Sequence, residues 1–146
     1  MIELVATITI TISSVLLFGY WFRYTCLLIL SAKTTRDYAG EVANANQLSF
    51  LAIHNELQSA VPAELGRLHA ALDRDYELLK GLFQQNAADA GLERRMLQID
   101  YRLMGVWRRT VQTFSPTAAK RALEEMALVV AHFANSMGEQ TAAAAA

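Results

Sequence analysis

Three histidines, His54, His69 and His132, are the residues whose chemistry could hold a cofactor. Facing histidines in a helical bundle can ligate haem iron, and paired Glu-x-x-His motifs can hold a di-iron centre. The spacing excludes the di-iron pattern, because Glu64 precedes His69 by five residues and Glu56 follows His54 by two. The main interpretation is that His54 and His69 bind no ligand and are hydrogen-bonded to neighbouring groups or water. The alternative is that they hold a haem or a metal for electron transfer.

The chain lacks the sequence motifs of the common enzyme classes. It contains no Walker loop, no Gly-x-Gly-x-x-Gly, no His-Glu-x-x-His, no Cys-x-x-Cys and no Gly-x-Ser-x-Gly. Its one cysteine, Cys26, excludes an internal disulfide and a multi-cysteine zinc site. With 13 basic and 14 acidic residues, the charge balance argues against a nucleic-acid binder. We therefore expect no catalysis and no bound cofactor or metal, and the sequence identifies no small-molecule substrate.

Basic residues concentrate in the segment 92–114, where five arginines oppose two acids and give a net charge of +3. The arginines are Arg94, Arg95, Arg102, Arg108 and Arg109. The main interpretation is a solvated face that pairs with acids of the preceding segment, namely Asp73, Asp75 and Glu77. The alternative is contact with anionic lipid or with an acidic partner.

An apolar run forms the N-terminal element of the chain. The chain is 53% hydrophobic and 18% charged, and residues 4–22 contain no charge. At 1.5 Å per residue this run gives a helix of about 28 Å, which matches the hydrocarbon core of a bilayer. The Thr-Ile alternation at 7–12 is compatible with a helix, because threonine hydroxyls can bond carbonyls one turn earlier. We predict a transmembrane helix.

The flanks of this run predict its retention and its orientation. A secretory signal peptide has a basic start and a small-x-small cleavage site, whereas only Glu3 precedes this run and no Ala-x-Ala follows it closely. Arg23, Lys33 and Arg36 lie on its C-terminal side. By the positive-inside rule, the N-terminus is predicted to lie outside the cell membrane and the rest of the chain in the cytoplasm.

Apolar character continues beyond one membrane span. A helix from residue 4 to residue 30 would measure about 40 Å, more than the hydrocarbon thickness. Either the aromatic residues mark the headgroup belt and Arg23 reaches lipid phosphates, or the span shifts to 13–30 and Arg23 faces a partner within the bilayer. In both placements residues 26–30 need a cover, and threonines at four-residue spacing permit close helix approach. The predicted membrane or partner interface comprises Thr7, Thr11, Tyr20, Trp21, Arg23, Tyr24, Cys26, Leu27 and Leu30.

The remainder of the chain predicts an all-α fold. Helical periodicity and helix-breaking residues divide it into segments at 35–60, 62–86, 92–114 and 116–137, with a loop at 86–91 and a helix stop at Gly138. Similar lengths and short connections predict one transmembrane helix followed by an antiparallel bundle of three to four helices. Alternatively, the membrane helix continues through 33–38 as one rod. The predicted organisation is an anchor at 1–31, a cytoplasmic bundle at 32–140 and a disordered Ala-rich tail at 141–146.

Each of the last three segments carries a predicted core stripe at three-to-four spacing. The stripe of 62–86 comprises Leu65, Leu68, Leu72, Tyr76, Leu79 and Phe83. That of 92–114 comprises Leu92, Met96, Ile99, Leu103, Val106, Trp107, Val111 and Phe114. That of 116–137 comprises Ala119, Leu123, Met126, Val130, Phe133 and Met137, and His132 falls opposite it, where exposure or a partner contact is expected.

These features together predict a non-catalytic membrane anchor, scaffold or accessory subunit of a larger membrane-associated assembly. Its expected partners are the lipid bilayer and either other membrane-protein subunits or further copies of the chain. The start Ile2-Glu3-Leu4-Val5 resembles the Ile-Glu-Leu start of type IV pilin N-terminal helices and departs from that pattern at Arg23. The resemblance implies a further alternative, a self-assembling filament subunit.

Overall fold

A computed structural model shows the chain as two units, Met1–Ala32 and Lys33–Ala146. The structure describes residues 1–32, 36–59, 64–85 and 91–145, and over these residues it is helical without a strand. The all-α prediction is confirmed, with a long apolar N-terminal helix and a helical bundle after it. Lys33, the Val61-Pro62 boundary and the predicted loop residues 86–90 lie outside the described residues.

The first unit is a single helix, α1 (Ile2–Ser31). Its threonine hydroxyls donate to carbonyls one turn earlier, as predicted: Thr7 to Glu3 and Thr11 to Thr7, each at 2.8 Å. The helix ends at Ser31, because Ala32 is extended at φ −62° and ψ 126°. The alternative, in which α1 continues as one helix through residues 33–38, is therefore wrong, because the helix already ends before residue 32.

The second unit has one central helix. It contains α2 (Ala39–Asn46), α3 (Phe50–Gln58), α4 (Leu65–Gln85), α5 (Leu92–Val111) and α6 (Pro116–Ala145), and each of the first four packs against α6. The predicted stripe of α6 is buried from Ala119 to Phe133, and that of α4 is buried from Leu68 to Phe83. The periodicity of α4 and α6 therefore identified their core faces correctly.

The predicted helix at 35–60 is wrong, because two short helices occupy this region. Gln47 ends α2 in the left-handed conformation at φ 53°, and the Leu48 amide donates to the Ala43 carbonyl at 2.9 Å. The Ser49 amide at the start of α3 donates to the buried Asp75 carboxylate at 2.6 Å. A carboxylate from α4 thus caps α3, since it satisfies an amide that has no partner within its own helix.

The predicted helix stop at Gly138 and the predicted disordered tail also differ from the structure, in which α6 runs to Ala145. Gly138 is buried, and a Cβ atom there would lie 2.2 Å from the Tyr38 Cβ. The Tyr38 amide donates to the Asn135 side-chain oxygen at 2.6 Å. Glycine is therefore required at 138 for the close approach of Tyr38, and it does not end the helix.

Candidate functional site

A partly buried polar cluster joins α4 to α5, and we define it as His69, Asp73, Tyr101 and Arg108, of which the Asp73 side chain is 46% exposed. The Arg108 Nε donates to the His69 Nδ1, and both residues are buried. The His69 Nε2 lies 3.4 Å from one Asp73 carboxylate oxygen, and the Tyr101 hydroxyl donates to the other at 2.8 Å. Every member of the polar cluster therefore has a partner within it.

Helix geometry explains why these four side chains meet. His69 and Asp73 are four residues apart on α4, so they lie on one face, and Tyr101 and Arg108 are seven apart on α5. Arg108 is further held by Gln112, which accepts from its Nη1 at 2.7 Å. The polar cluster is thus the meeting point of one face from each helix.

The surroundings keep the His69 imidazole neutral. Burial lowers the pKa of His69, and the positive charges of Arg108 and Arg109 lower it further against the opposing effect of Asp73. Because Nδ1 accepts the Arg108 N–H, the ring proton resides on Nε2, facing Asp73. Burial and the neighbouring Asp73 carboxylate raise the pKa of Tyr101, so its hydroxyl stays protonated.

The alternative haem or metal pair of His54 and His69 is disfavoured by this arrangement. An iron ligand needs a ring nitrogen with a free lone pair, and in His69 one nitrogen accepts from Arg108 while the other carries the proton. His54 lies half-buried on α3. Within the described ranges, no group of three His, Cys, Asp or Glu side chains could hold a metal ion.

A cleft of about 470 Å³ lies beside the polar cluster. Tyr76 and Tyr101 stack there with ring centroids 4.0 Å apart, and Met126 of α6 contributes to the lining. The lining residues are His69, Asp73, Tyr76, Glu77, Tyr101, Arg102, Gly105, Val106, Arg109 and Met126. None of these lining residues is a serine, threonine, cysteine or lysine, and the potential nucleophiles and bases among them are the His69 imidazole, the Asp73 and Glu77 carboxylates and the two tyrosine hydroxyls.

The predicted interface residues of α1 lie on an exposed helix. Tyr20 and Tyr24 stack at 6.4 Å, and Trp21, Leu27 and both threonines are exposed. Arg23 and Leu30 are half-buried, whereas Cys26 is buried without a disulfide. The structure therefore brings the aromatic residues together but assigns no partner chain to any of them.

The predicted core stripe of α5 is largely wrong. Met96 and Val111 are buried as predicted. In contrast, Ile99, Leu103, Val106 and Trp107 are 46–63% exposed, and Leu92 and Phe114 are exposed even more. The buried face of α5 instead comprises Met96, Leu97, Asp100, Tyr101, Met104, Gly105, Arg108 and Val111. We call Ile99, Leu103, Val106 and Trp107 the outer face of α5 and this buried set its inner face.

The main interpretation placed the five arginines of α5 on one solvated face, and the structure does not bear this out. Arg108 is buried in the polar cluster, and the Arg94 guanidinium lies 4.2 Å from the centre of the Phe83 ring. Arg95, Arg102 and Arg109 are exposed. Of the acids expected to pair with them, Asp75 is buried as the cap of α3, and burial raises the pKa of its carboxyl.

His132 has a partner within its own unit. It is half-buried, and its Nε2 lies 3.2 Å from the Glu93 carboxylate at the start of α5.

Sequence reasoning missed the polar cluster, although the four-residue spacing of His69 and Asp73 was a usable signal for it. Compared with protein-family models, with curated proteins and with solved structures, the chain matches none.

Proposed function

We propose that the chain is a single-pass membrane protein whose helical unit acts, without catalysis, as a scaffold or accessory subunit of a larger membrane-associated assembly. The observation that carries this proposal is the 30-residue helix α1, in which residues 4–22 carry no charge and whose most apolar 18-residue window has no buried side chain. A soluble monomer rarely leaves so large an apolar surface in water. A bilayer would remove that surface from water and leave the helix backbone fully bonded.

The orientation follows from the charges beyond the span. Arg23, Lys33 and Arg36 follow the uncharged run, and Glu3 precedes it. Under the positive-inside rule these charges favour a cytoplasmic helical unit and an outer N-terminus. The stacked tyrosines Tyr20 and Tyr24 suit the headgroup level near Arg23.

The non-catalytic part of the proposal is supported by the polar cluster. The hydrogen-bonding groups of His69, Asp73, Tyr101 and Arg108 are engaged with one another, although three of these side chains also line the cleft. The imidazole lies between the Arg108 guanidinium and the Asp73 carboxylate, an arrangement that fixes α4 against α5. We propose that the cluster holds α4 and α5 together within a unit that binds partners.

The accessory role is supported by apolar surface that the chain leaves uncovered outside the predicted span. Leu27 and Leu28 at the end of α1 are exposed, and so is the outer face of α5. In α1, the bonded hydroxyls of Thr7 and Thr11 leave small side chains at four-residue spacing, a pattern that permits close helix contact.

Membrane insertion is tested by alkaline carbonate extraction of membranes from expressing cells. We expect the wild type to stay in the membrane pellet with an intact mass that includes α1. The variant Ile12→Arg/Leu16→Arg should be released, because each arginine near the bilayer centre costs about 2.5–3.5 kcal/mol. The control Leu51→Arg/Leu128→Arg changes two exposed leucines of the second unit and should remain in the pellet. Release of the wild type, or a mass without α1, would contradict insertion.

The accessory role is tested by purification in a mild detergent followed by mass spectrometry and light scattering. We expect other membrane polypeptides, or a homo-oligomer, to accompany the chain at stable stoichiometry. A monodisperse monomer would count against an accessory subunit. Protease added to intact cells should spare the second unit, and its digestion would reverse the proposed orientation.

A further inference from the structure

The outer face of α5 is an apolar strip with a row of cations along one side. Ile99, Leu103, Val106 and Trp107 recur at three-to-four spacing, so they form one surface of the helix. Arg95, Arg102 and Arg109 recur at seven-residue spacing and are exposed, so they form a row beside that surface. The combination is that of an amphipathic helix whose polar border is basic on one side.

We propose that this face binds the surface of an anionic lipid bilayer. The apolar side chains would enter the boundary between headgroups and acyl chains, and the arginine row would bind lipid phosphates. Tryptophan is enriched at that depth, because its ring is amphipathic, and arginine forms charge-assisted hydrogen bonds with phosphate oxygens. The inference rests on the proposed function, since α1 would tether the second unit beside a bilayer.

Two acids, Asp73 and Glu77, line the neighbouring cleft together with Arg102 and Arg109. Asp73 accepts from Tyr101 and faces His69, and Glu77 bonds Lys80 at 3.4 Å. Arg95 is not among the lining residues of the cleft, and all three arginines of the row are exposed. The row therefore presents guanidinium groups to solvent beside the outer face.

The same charges disfavour a second copy of the chain as the occupant of the outer face. If two α5 helices packed antiparallel through this face, their arginine rows would adjoin, and like charges repel. In a parallel pair each row would meet the opposite border of its partner, where Asp100 is buried and Glu93 already contacts His132. A bilayer that supplies many phosphates meets neither obstacle.

Trp107 provides the test, because the chain has only two tryptophans and Trp21→Phe leaves Trp107 as the sole reporter. The full chain is reconstituted into vesicles of neutral phosphatidylcholine, with or without anionic phosphatidylglycerol, that contain acyl-brominated lipid. We expect bromine to quench Trp107 emission in the anionic vesicles and much less in the neutral ones. High salt should restore the emission, because it screens exposed charges.

Two charge-reversal variants in the same background separate this surface from net charge. Arg95→Glu/Arg102→Glu should lose the quenching in anionic vesicles, whereas Arg74→Glu/Arg121→Glu, which changes exposed arginines elsewhere by the same amount, should keep it. Equal quenching in both variants would overturn the proposal.

Two further outcomes would also overturn it. Emission that is blue-shifted but unaffected by bromine would show that protein covers the outer face, and quenching by aqueous acrylamide in anionic vesicles would show that water does. Whether neutral vesicles retain the chain after carbonate treatment is measured separately. This retention depends on α1 alone, because the α5 face is proposed to bind anionic lipid. Loss of that retention would therefore count against the proposed membrane anchor and is distinguishable from failure at α5.

Discussion

The two faces of α5 show that polarity alone does not decide which side chains of this helix are buried. The inner face buries a guanidinium and a carboxylate, Arg108 and Asp100, together with the Tyr101 ring. The outer face exposes an isoleucine, a leucine, a valine and a tryptophan. Within one helix of 20 residues, therefore, two charged groups lie inside while four large apolar side chains lie outside.

This difference shows that the location of a side chain depends on the partners available to it. Arg108 is buried because α4 supplies the His69 nitrogen and α5 itself supplies Gln112. Among the described residues of the second unit, none covers the outer face, and its four apolar side chains are exposed. We infer that the inner face serves stability and that the outer face serves binding.

The comparison is tested most severely by one substitution made on both faces, Leu97→Ala on the inner face and Leu103→Ala on the outer face. Leu97 is fully buried, and Leu103 is 46% exposed. Because truncation of a buried leucine leaves a cavity, we expect Leu97→Ala to lower the free energy of unfolding by about 2–5 kcal/mol. We expect about 0.5 kcal/mol or less for Leu103→Ala. Urea unfolding in a mild detergent, followed by circular dichroism, measures both, and equal losses would refute the assignment of faces.

A second pair compares neighbouring arginines. Arg108→Met removes the donor to the buried His69 Nδ1, so we expect a loss of about 1–3 kcal/mol in the free energy of unfolding. Arg109→Met changes an exposed residue and should stay within about 0.5 kcal/mol of the wild type. The same unfolding measurement applies, and a larger effect at 109 than at 108 would contradict the polar cluster.

The polar cluster also predicts that the free energy of unfolding depends on pH, because His69 of α4 packs against Arg108 on the inner face of α5. The pKa of His69 is lowered in the folded state from an ordinary value of 6.5, so below that value the unfolded chain binds more protons than the folded chain. Stability should therefore fall as the pH drops below about 6.5. His69→Gln should flatten this slope, and His132→Gln, the same substitution at a half-buried histidine of α6, serves as the matched control. Unfolding midpoints between neutral and mildly acidic pH measure the slopes, and an unchanged slope in His69→Gln would refute the assignment.

The smallest expected effect concerns the space beside His69. A Cβ atom at Gly105 would lie 3.5 Å from the imidazole, an ordinary van der Waals distance. Because glycine lowers helix stability, Gly105→Ala should raise the free energy of unfolding by about 0.5–1 kcal/mol. Thermal unfolding by circular dichroism measures the shift. A destabilised variant would show that the inner face has no room at this position.

Periodicity predicted the helices whose core faces are apolar and failed where burial depends on distant polar partners. Leu72 and Leu79 on α4, and Leu123 and Val130 on α6, all lie inside as their spacing predicts. The inner face of α5 could not be recognised in this way, because Arg108 is buried by a bond to a residue 39 positions away. A one-helix pattern contains no information about that bond.

The remaining differences have similar physical causes. The break at Gln47 is fixed by the Asp75 carboxylate, 26 residues from the Ser49 amide that it caps. Gly138 suits a helix stop by residue type, but its role is the close contact with Tyr38, which is separated from it by most of the second unit. In contrast, the threonine bonds of α1 were predictable, because they are local.

The accessibility of the two faces of α5 is the most direct test of their division of roles. In a Cys26→Ser background, which has no other cysteine, a single cysteine is introduced by Leu103→Cys or by Leu97→Cys. The protein is held in neutral lipid and treated with a polar maleimide. Rapid labelling at 103, with labelling at 97 only after denaturation, is the predicted result. Equal labelling of the folded protein at both positions, or protection at 103 alone, would contradict an exposed outer face and a buried inner one.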